Sequence, residues 1–424
     1  MFKKLAQIWK IPDLRKSILF VLGMLVIFRI GAHIPIPGVD ATALKKLFES
    51  NQLLGLMNVF SGGSMENFSI VMLGVAPYIT ASIIFQLLAM VVPALEELQK
   101  EGDYGRQKIN KWTRWLTVPL ALMQSFAMIT LLRQSAVGVM PNFSPWSLTV
   151  ATLTITAGTI FLMWLGELIS EKHIGNGISL LIFAGIISGL PTSISNTLYT
   201  YDQAQIINMV IFGIIAIITI IAVVFITEAQ RNIPVSYARQ IRGNRMYGGT
   251  NTHLPIRVNQ AGVMPIIFAI SIILIPPMIA QVFLRVNSAW LSAAAQWIIN
   301  LFQNQLFYGI AYFVLVVAFT YFYTAVIFHP DQISENLQKQ GGFVPGIRPG
   351  KSTAQYLQKI VTRIVFSGAL FLGIIAVLPL ITSQITGSQS LVVGGTSLLI
   401  VVSVVIETVN QINGQLSMRD YEEI

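Results

Sequence analysis

The stretch IINMVIFGIIAIITIIAVVFIT, Ile206–Thr227, contains no charged residue, and EAQRNIPVSYARQIRGNR, Glu228–Arg245, follows it with four arginines. A bilayer core takes roughly 20 apolar residues per helix. A backbone in lipid must satisfy its own hydrogen bonds, so the stretch reads as a membrane-spanning helix. Working outward, comparable stretches lie near 17–36, 70–93, 115–133, 147–167, 174–195, 261–284, 306–328, 360–382 and 391–411. Any one of them could be a buried core helix. Ten in succession with consistent charge flanks read as ten spans. Of the 27 Lys and Arg, 22 fall in the N-terminus, the even-numbered loops and the C-tail, four fall in the odd-numbered loops, and Arg29 lies inside the first span. Cytoplasmic loops carry the excess of Lys and Arg, so a multi-pass protein with both termini in the cytoplasm is expected.

The composition agrees. The chain has 424 residues, 54% hydrophobic and only 11% charged, where soluble domains carry about 25% charged residues. A net charge of +9 could suggest nucleic acid. Its confinement to one face instead fits the positive-inside pattern, with anionic lipids and cytoplasmic partners as targets. No cleavable signal is expected, because the first apolar run is too long and lacks a small-residue cleavage site. The absence of cysteine excludes disulfides, a thiol nucleophile and thiolate metal sites. His33, His173, His253 and His329 are dispersed, so neither a metal nor a cofactor is expected. Five spans precede the turn near residue 200 and five follow it. Blocks with an odd number of spans have opposite topology, as in inverted-repeat transport proteins. The expected fold is therefore an all-α polytopic membrane protein with halves 1–200 and 201–424, an inference from span count alone.

Three segments depart from the simple pattern. The first outer loop, about 38–69, holds a moderately apolar stretch, Leu53–Phe60, that is too short to span and is either interfacial or re-entrant. The sixth and eighth loops, 229–260 and 329–359, are long, basic and shaped by Gly and Pro, as in Gly341-Gly342-Phe343-Val344-Pro345-Gly346-Ile347-Arg348-Pro349-Gly350-Lys351. They either fix topology alone or form a docking platform for a protein, and two such loops on one face favour the platform. Trp290, Leu291, Trp297, Ile298, Ile299 and Phe302 give the remaining segment an amphipathic pattern, expected to lie in the outer interface. Gly350-Lys351-Ser352 resembles the end of a phosphate-binding loop, but that motif needs glycine at 345. Pro345 has no N–H to offer a phosphate, so no nucleotide site is read here.

Charge within the spans is sparse. Arg29 could pair with backbone carbonyls or cap a bend, and Glu167 and Glu407 lie near cytoplasmic ends. An ion-coupled transporter should carry more intramembrane charge. No Ser/Lys, paired-Asp or His/Glu arrangement suggests hydrolysis. Gly185 and Gly189 form a GxxxG pattern, read as helix packing. Val75, Ile79 and Ile83 share one face of the second span, and Ile178, Ile182 and Ile186 one face of the fifth. By periodicity alone these are packing or lipid faces. Thr80, Ser82, Gln86 and Gln124 could hydrogen-bond between helices at about 0.6 kcal/mol per pair, making a seam able to open. A constriction of aliphatic side chains can gate by dewetting.

Eight stretches together resemble the SecY family, the channel subunit of the general protein translocase: FRIGAHIPIPGVD (Phe28–Asp40), NVFSGGS (Asn58–Ser64), APYITASIIFQLL (Ala76–Leu88), EGDYGRQKINKWTR (Glu101–Arg114), IGNGISLLIFAGI (Ile174–Ile186), THLPIRVNQAGVMP (Thr252–Pro265), FVPGIRPG (Phe343–Gly350) and GGTSLLIVV (Gly394–Val402). The resemblance covers nearly the whole chain. It implies an hourglass pore between two five-helix halves, with a ring of Val75, Ile79, Ile178, Ile182, Ile267 and Ile400. Val75 is a mild departure from the mostly isoleucine ring of the family. Residues 53–67, with Asn58, Val59, Phe60, Ser61, Gly62 and Gly63, match the plug. Thr80, Gln86, Gln124 and Asn259 match polar positions of a lateral gate. Arg242, Arg245, Arg348, Pro349, Gly350 and Lys351 match the partner-binding loops; where the family often carries paired arginines in the sixth loop, Asn244-Arg245 stands here, so only Arg245 carries over. The implied partners are SecE and SecG, the SecA motor ATPase, the ribosome, signal peptides and nascent chains, in a bacterial cytoplasmic membrane. A passive protein-conducting channel is thus expected. A small-solute secondary transporter would need a charged midplane site, and an intramembrane enzyme a nucleophile with its base.

Overall fold

A computed structural model of the protein describes residues 11–50, 58, 61–134, 144–199, 206–237, 240–242, 245–247, 251–284, 288–386 and 390–420. All ten apolar stretches fall on helices. Those of the first half are α1 (Pro12–Ala32), α3 (Ala76–Val91), α5 (Asp103–Gln134), α6 (Pro145–Ser170) and α7 (Gly177–Tyr199), with short helices α2 (Ala41–Ser50) and α4 (Pro93–Lys100) between them. The second half contributes α8 (Ile206–Glu228), α9 (Met264–Phe283), α11 (Gln305–Ile327), α13 (Lys351–Thr386) and α14 (Ser390–Asp420), with α10 (Ala289–Gln303) and α12 (Pro330–Lys339) in its loops. Among the described residues, α5, α6, α11, α13 and α14 each contain a stretch long and apolar enough to cross a membrane, and α3 with α4 makes a sixth, bent by 102°. The bend has a local cause. Pro93 pushes Val92 out of the helical region, to φ −100° and ψ 109°, because the proline ring crowds the preceding residue.

Helix starts follow side-chain chemistry. Ser144 accepts the amide of Ser147 at 3.1 Å to cap α6. Asn304 accepts the amides of Leu306 and Phe307 at 3.0 and 3.3 Å to cap α11. Each cap satisfies amides that the helix leaves unpaired.

The second span differs from its expected range. Helix α3 begins at Ala76, and residues 61–75 form a chain of turns instead. That segment is deeply buried, with Ser64, Ser69, Val71 and Met72 wholly enclosed. Irregular backbone at membrane depth is tolerated only where protein surrounds it. Here α2, α5 and α6 do so, through Leu44, Ile129 and Ile155 packed against Met65, Phe68 and Met72.

The helices pack in two groups. Within the first half α1 lies against α6 and α7, and α3 against α5; within the second, α9 lies against α11, α11 against α13, and α14 against α8 and α13. Two seams join the groups. At one, α14 meets α7; at the other, α9 meets α3 and α5. The first seam is tied on the basic-loop side, where the Gly175 amide donates to Gln411 Oε1 at 2.6 Å and Gln415 Nε2 donates to the His173 carbonyl at 2.8 Å.

The sixth and eighth loops of the expected all-α fold form strands. β1 (Gln230–Tyr237) pairs antiparallel with β4 (Asn251–Arg257) and with β5 (Gly342–Phe343), giving the order β4-β1-β5, and β2 (Gln240–Arg242) pairs with β3 (Arg245–Tyr247). Tyr237 stands opposite Gly342, so the two loops share one sheet. Ile233, Ile256 and Val344 bury themselves on Leu357, Ile360 and Val361 of α13, a small core distinct from that of the bundle.

Candidate pore, plug and docking face

The aliphatic residues converge where α3, α7 and α9 face one another. Asn176 Oδ1 accepts the amides of Ile178 and Ser179 at 3.1 and 3.2 Å, which sets the first turn of α7 and with it Ile178. Val75, Ile79, Ile182, Ile267 and Ile400 are buried in one cluster, and Ile178 is half-buried against it. Two cavities flank this girdle. The first, about 60 Å³, is lined by Val75, Ile79, Ile182 and Ile267 together with Ser61 and Met65. The second, about 170 Å³, is lined by Ile79, Ile178 and Ile267 together with Gln86, Glu167 and Tyr323. Ile79 and Ile267 border both and form the septum between them. Ile400 lines neither and is buried in the same cluster. No charged residue lines the first cavity. In the second, Glu167 is paired: Arg114 Nε donates to its Oε1 at 2.6 Å. Aliphatic walls offer no ligand to an ion and shed water from a narrow gap.

The residues before α3 close the first cavity. Gly62 and Gly63 adopt φ of +71° and +76°, a region glycine enters without a Cβ penalty. Arg29 Nη1 donates to the Gly62 carbonyl at 2.9 Å, the backbone pairing that was one of two readings of this arginine. A Cβ on Gly62 would lie 2.6 Å from the Gly185 Cα. Gly185 therefore packs on this turn, not on a neighbouring helix as its GxxxG pattern suggested, and a Cβ at Gly189 would meet nothing within 4 Å. Ser64 Oγ bonds the carbonyls of Ser61 at 2.6 Å and Val71 at 3.1 Å. Asn58 Nδ2 donates to Glu66 Oε2 at 3.0 Å, and Asn58 Oδ1 accepts the Glu66 amide at 3.0 Å. A bridge between Pro35 and Ser69 anchors the far end. Val59, Phe60 and most of Leu53–Phe60 lie outside the described residues.

The polar seam residues are separated. Thr80 and Gln124 line the first cavity and Gln86 the second. Their bonds run within helices: Thr80 Oγ1 donates to the Ala76 carbonyl at 3.0 Å, and Gln86 Nε2 donates to Ser82 Oγ at 3.1 Å. Interhelical pairing was the expectation; a side chain one turn along the same helix is simply nearer. Asn259 stands apart in the turn before α9, where its Nδ2 donates to the Gly262 carbonyl at 3.1 Å. The sequence reading passed over Ser271 and Met278, which line the first cavity on α9. The signal was present: Ile267, Ser271, Leu274 and Met278 recur at helical spacing along one face.

On the basic side, Arg348, Pro349 and Lys351 are exposed and Gly350 is half-buried. Their loop is held by its carbonyls. Thr353 Oγ1 donates to the Arg348 carbonyl at 2.9 Å, and Ser334 Oγ donates to the Gly350 carbonyl at 2.7 Å. Among the described residues neither Arg348 nor Lys351 has an acidic partner. Arg242 and Arg245 are register partners in the β2–β3 hairpin; their side chains lie outside the description.

The signature of the SecY family matches residues 69–409. The chain is 43% identical to the protein translocase subunit SecY of Streptomyces scabiei, covering 100% of this chain and 99% of that one. It is 45% identical to the subunit of the same name from Corynebacterium glutamicum, covering 98% of each. The chain belongs to the SecY family. The fold of SecY proteins is recognisable in solved structures too. One described as the structure of a protein conducting channel superposes with a TM-score of 0.63 at 18% identity, covering 93% of this chain and 90% of the other. Another, from work on how the SecY plug domain stabilises the closed translocation channel, gives 0.62 at 18% identity. The family signature begins at Ser69, so the Arg29–Gly62 contact of this SecY chain lies before it.

Proposed function

We propose that this chain is the protein-conducting channel of a translocase in the bacterial cytoplasmic membrane, passing unfolded secretory proteins across and releasing transmembrane segments sideways into lipid. The observation that carries the reading is the Ile79–Ile267 septum between an uncharged cavity and a polar one. A hydrocarbon septum resists ions, yet makes no specific contact that would select one polypeptide over another. Val75, Ile79, Ile178, Ile182, Ile267 and Ile400 act as the ring, and the buried turn around Gly62-Gly63 acts as the plug. The seam of α9 with α3 and α5 acts as the lateral gate, with Thr80, Gln86 and Gln124 near it; Asn259 contributes at the turn into α9. Halves 1–200 and 201–424 move as the two jaws. Both termini face the cytoplasm, because the basic loops lie on that side.

The shared sheet of the sixth and eighth loops is the docking platform, with Arg242, Arg245, Arg348, Pro349, Gly350 and Lys351 presented to the SecA motor or a translating ribosome. SecE and SecG complete the complex, and energy comes from the partner. The test is reconstitution. Vesicles containing this chain with SecE, SecG, SecA and ATP should render a secretory precursor protease-resistant until detergent is added. A precursor that stays fully digestible in correctly assembled vesicles would overturn the reading.

A further inference from the structure

Arg29 lies inside the first span, away from the basic loops, and charge at that depth persists where it has a task. It lies three residues before the end of α1, and its guanidinium reaches across to the Gly62 carbonyl at 2.9 Å. Gly62 is held from the other side by α7, where the Gly185 Cα leaves no room for a Cβ, and Phe28 of α1 stands 3.2 Å from the same point. At Gly62 itself the turn is thus gripped between two helices by one directional bond and one smooth glycine–glycine contact, while its far end is pinned by the Ile36 amide to the Phe68 carbonyl at 2.9 Å and the Ile70 amide to the Ile34 carbonyl at 3.1 Å. The glycine–glycine contact has no interlocking side chains, so the Gly62 end can swing out about the pinned end once the Arg29 bond is broken. The same turn carries Ser61 and leads to Met65, both of which wall the cavity beyond the septum.

We propose that Arg29 is the latch of the plug, a positioning residue whose bond to the Gly62 carbonyl sets how often the resting channel opens. The inference rests on the channel reading above and assigns its regulation. Breaking the bond frees the turn without touching the Ile79–Ile267 septum or the docking face. A lysine at the same place keeps the charge and one donor, and restores part of the grip. An alanine at Gly62 displaces the turn from the other side with Arg29 intact.

The chain has no cysteine, so Met65→Cys gives a single buried reporter. In vesicles holding the complex, a membrane-impermeant maleimide added opposite the basic loops should label it slowly. Adding Arg29→Met should make labelling about 10-fold faster, the effect of losing one charge-assisted hydrogen bond. It should also let a precursor with a defective signal sequence cross. Arg29→Lys should fall between the two, and Gly62→Ala should behave as Arg29→Met does. Unchanged labelling in Arg29→Met, with the unaltered chain still transporting a normal precursor, overturns the latch and leaves the channel standing. Faster labelling with no transport by the unaltered chain overturns the channel reading, and the latch's role with it.

Discussion

Ile79 and Ile267 show how little the proposed seal requires. Each is buried, and each borders both cavities. A β-branched side chain has few rotamers, so the septum is stiff at rest while offering no polar group to a passing segment. Glu167, the charged group lining the second cavity, is paired with Arg114. Arg348 presents the opposite case. It is exposed, and its backbone carbonyl is tied to Thr353, so the side chain is presented by a rigid loop. Arg348→Glu should impair SecA-driven transport while leaving insertion of the protein itself intact. Both are read in vesicles by protease protection and by alkaline extraction, and unchanged transport would argue against a docking role. Arg348 was legible because it stands in FVPGIRPG. The Arg29–Gly62 bond was not, because a separation of 33 residues leaves no periodic trace.

At the scale of elements, the turn segment before α3 and the loop sheet departed most from expectation. Residues 70–75 are as apolar as a helix, and hydropathy cannot tell a buried turn from a span. The local hydrogen bonds decide. Ser64 Oγ, fully enclosed, serves the Ser61 and Val71 carbonyls. Ser64→Ala strands both, and the loss of bonds to buried acceptors costs about 1–3 kcal/mol. The expected result is a lower thermal unfolding midpoint in detergent, and an unshifted midpoint would remove this serine from the support of the segment. In the loops, Ile233 and Val235 are buried on either side of an exposed Pro234, the alternation of a strand. Proline within a run ordinarily demotes it from a central strand. It is tolerated because β5 reaches only Ser236 and Tyr237, which leaves Pro234 with no neighbour on its donor side.

For the whole molecule, the consequential feature is that the two helix groups meet at two unlike seams. The α7–α14 seam is tied by Gln411 and Gln415. At the α3–α9 seam Thr80 and Gln86 spend their described bonds within α3. Parting that seam breaks mainly apolar contacts, which lipid tails replace. Thr80→Cys with Ser271→Cys, both lining the first cavity from α3 and α9, should therefore lock the seam when bridged by a short bis-methanethiosulfonate reagent, each thiolate forming a mixed disulfide and expelling methanesulfinate. Release of a nascent transmembrane segment into lipid should stop and then return on reduction; continued release through the bridged seam would place the exit elsewhere. The sequence by itself determined the ten apolar helices, the basic side and the family, because hydropathy, charge and motif order are properties of consecutive residues. The candidate ring came from the resemblance to the SecY family; helical spacing by itself gave Val75 with Ile79 and Ile178 with Ile182 only as packing or lipid faces. Only the tertiary structure decided that Ile79 and Ile267 are the septum, that Gly185 packs on Gly62, and that two loops share a sheet. Each of these joins residues far apart in the chain through contacts too short-ranged to leave a pattern along it.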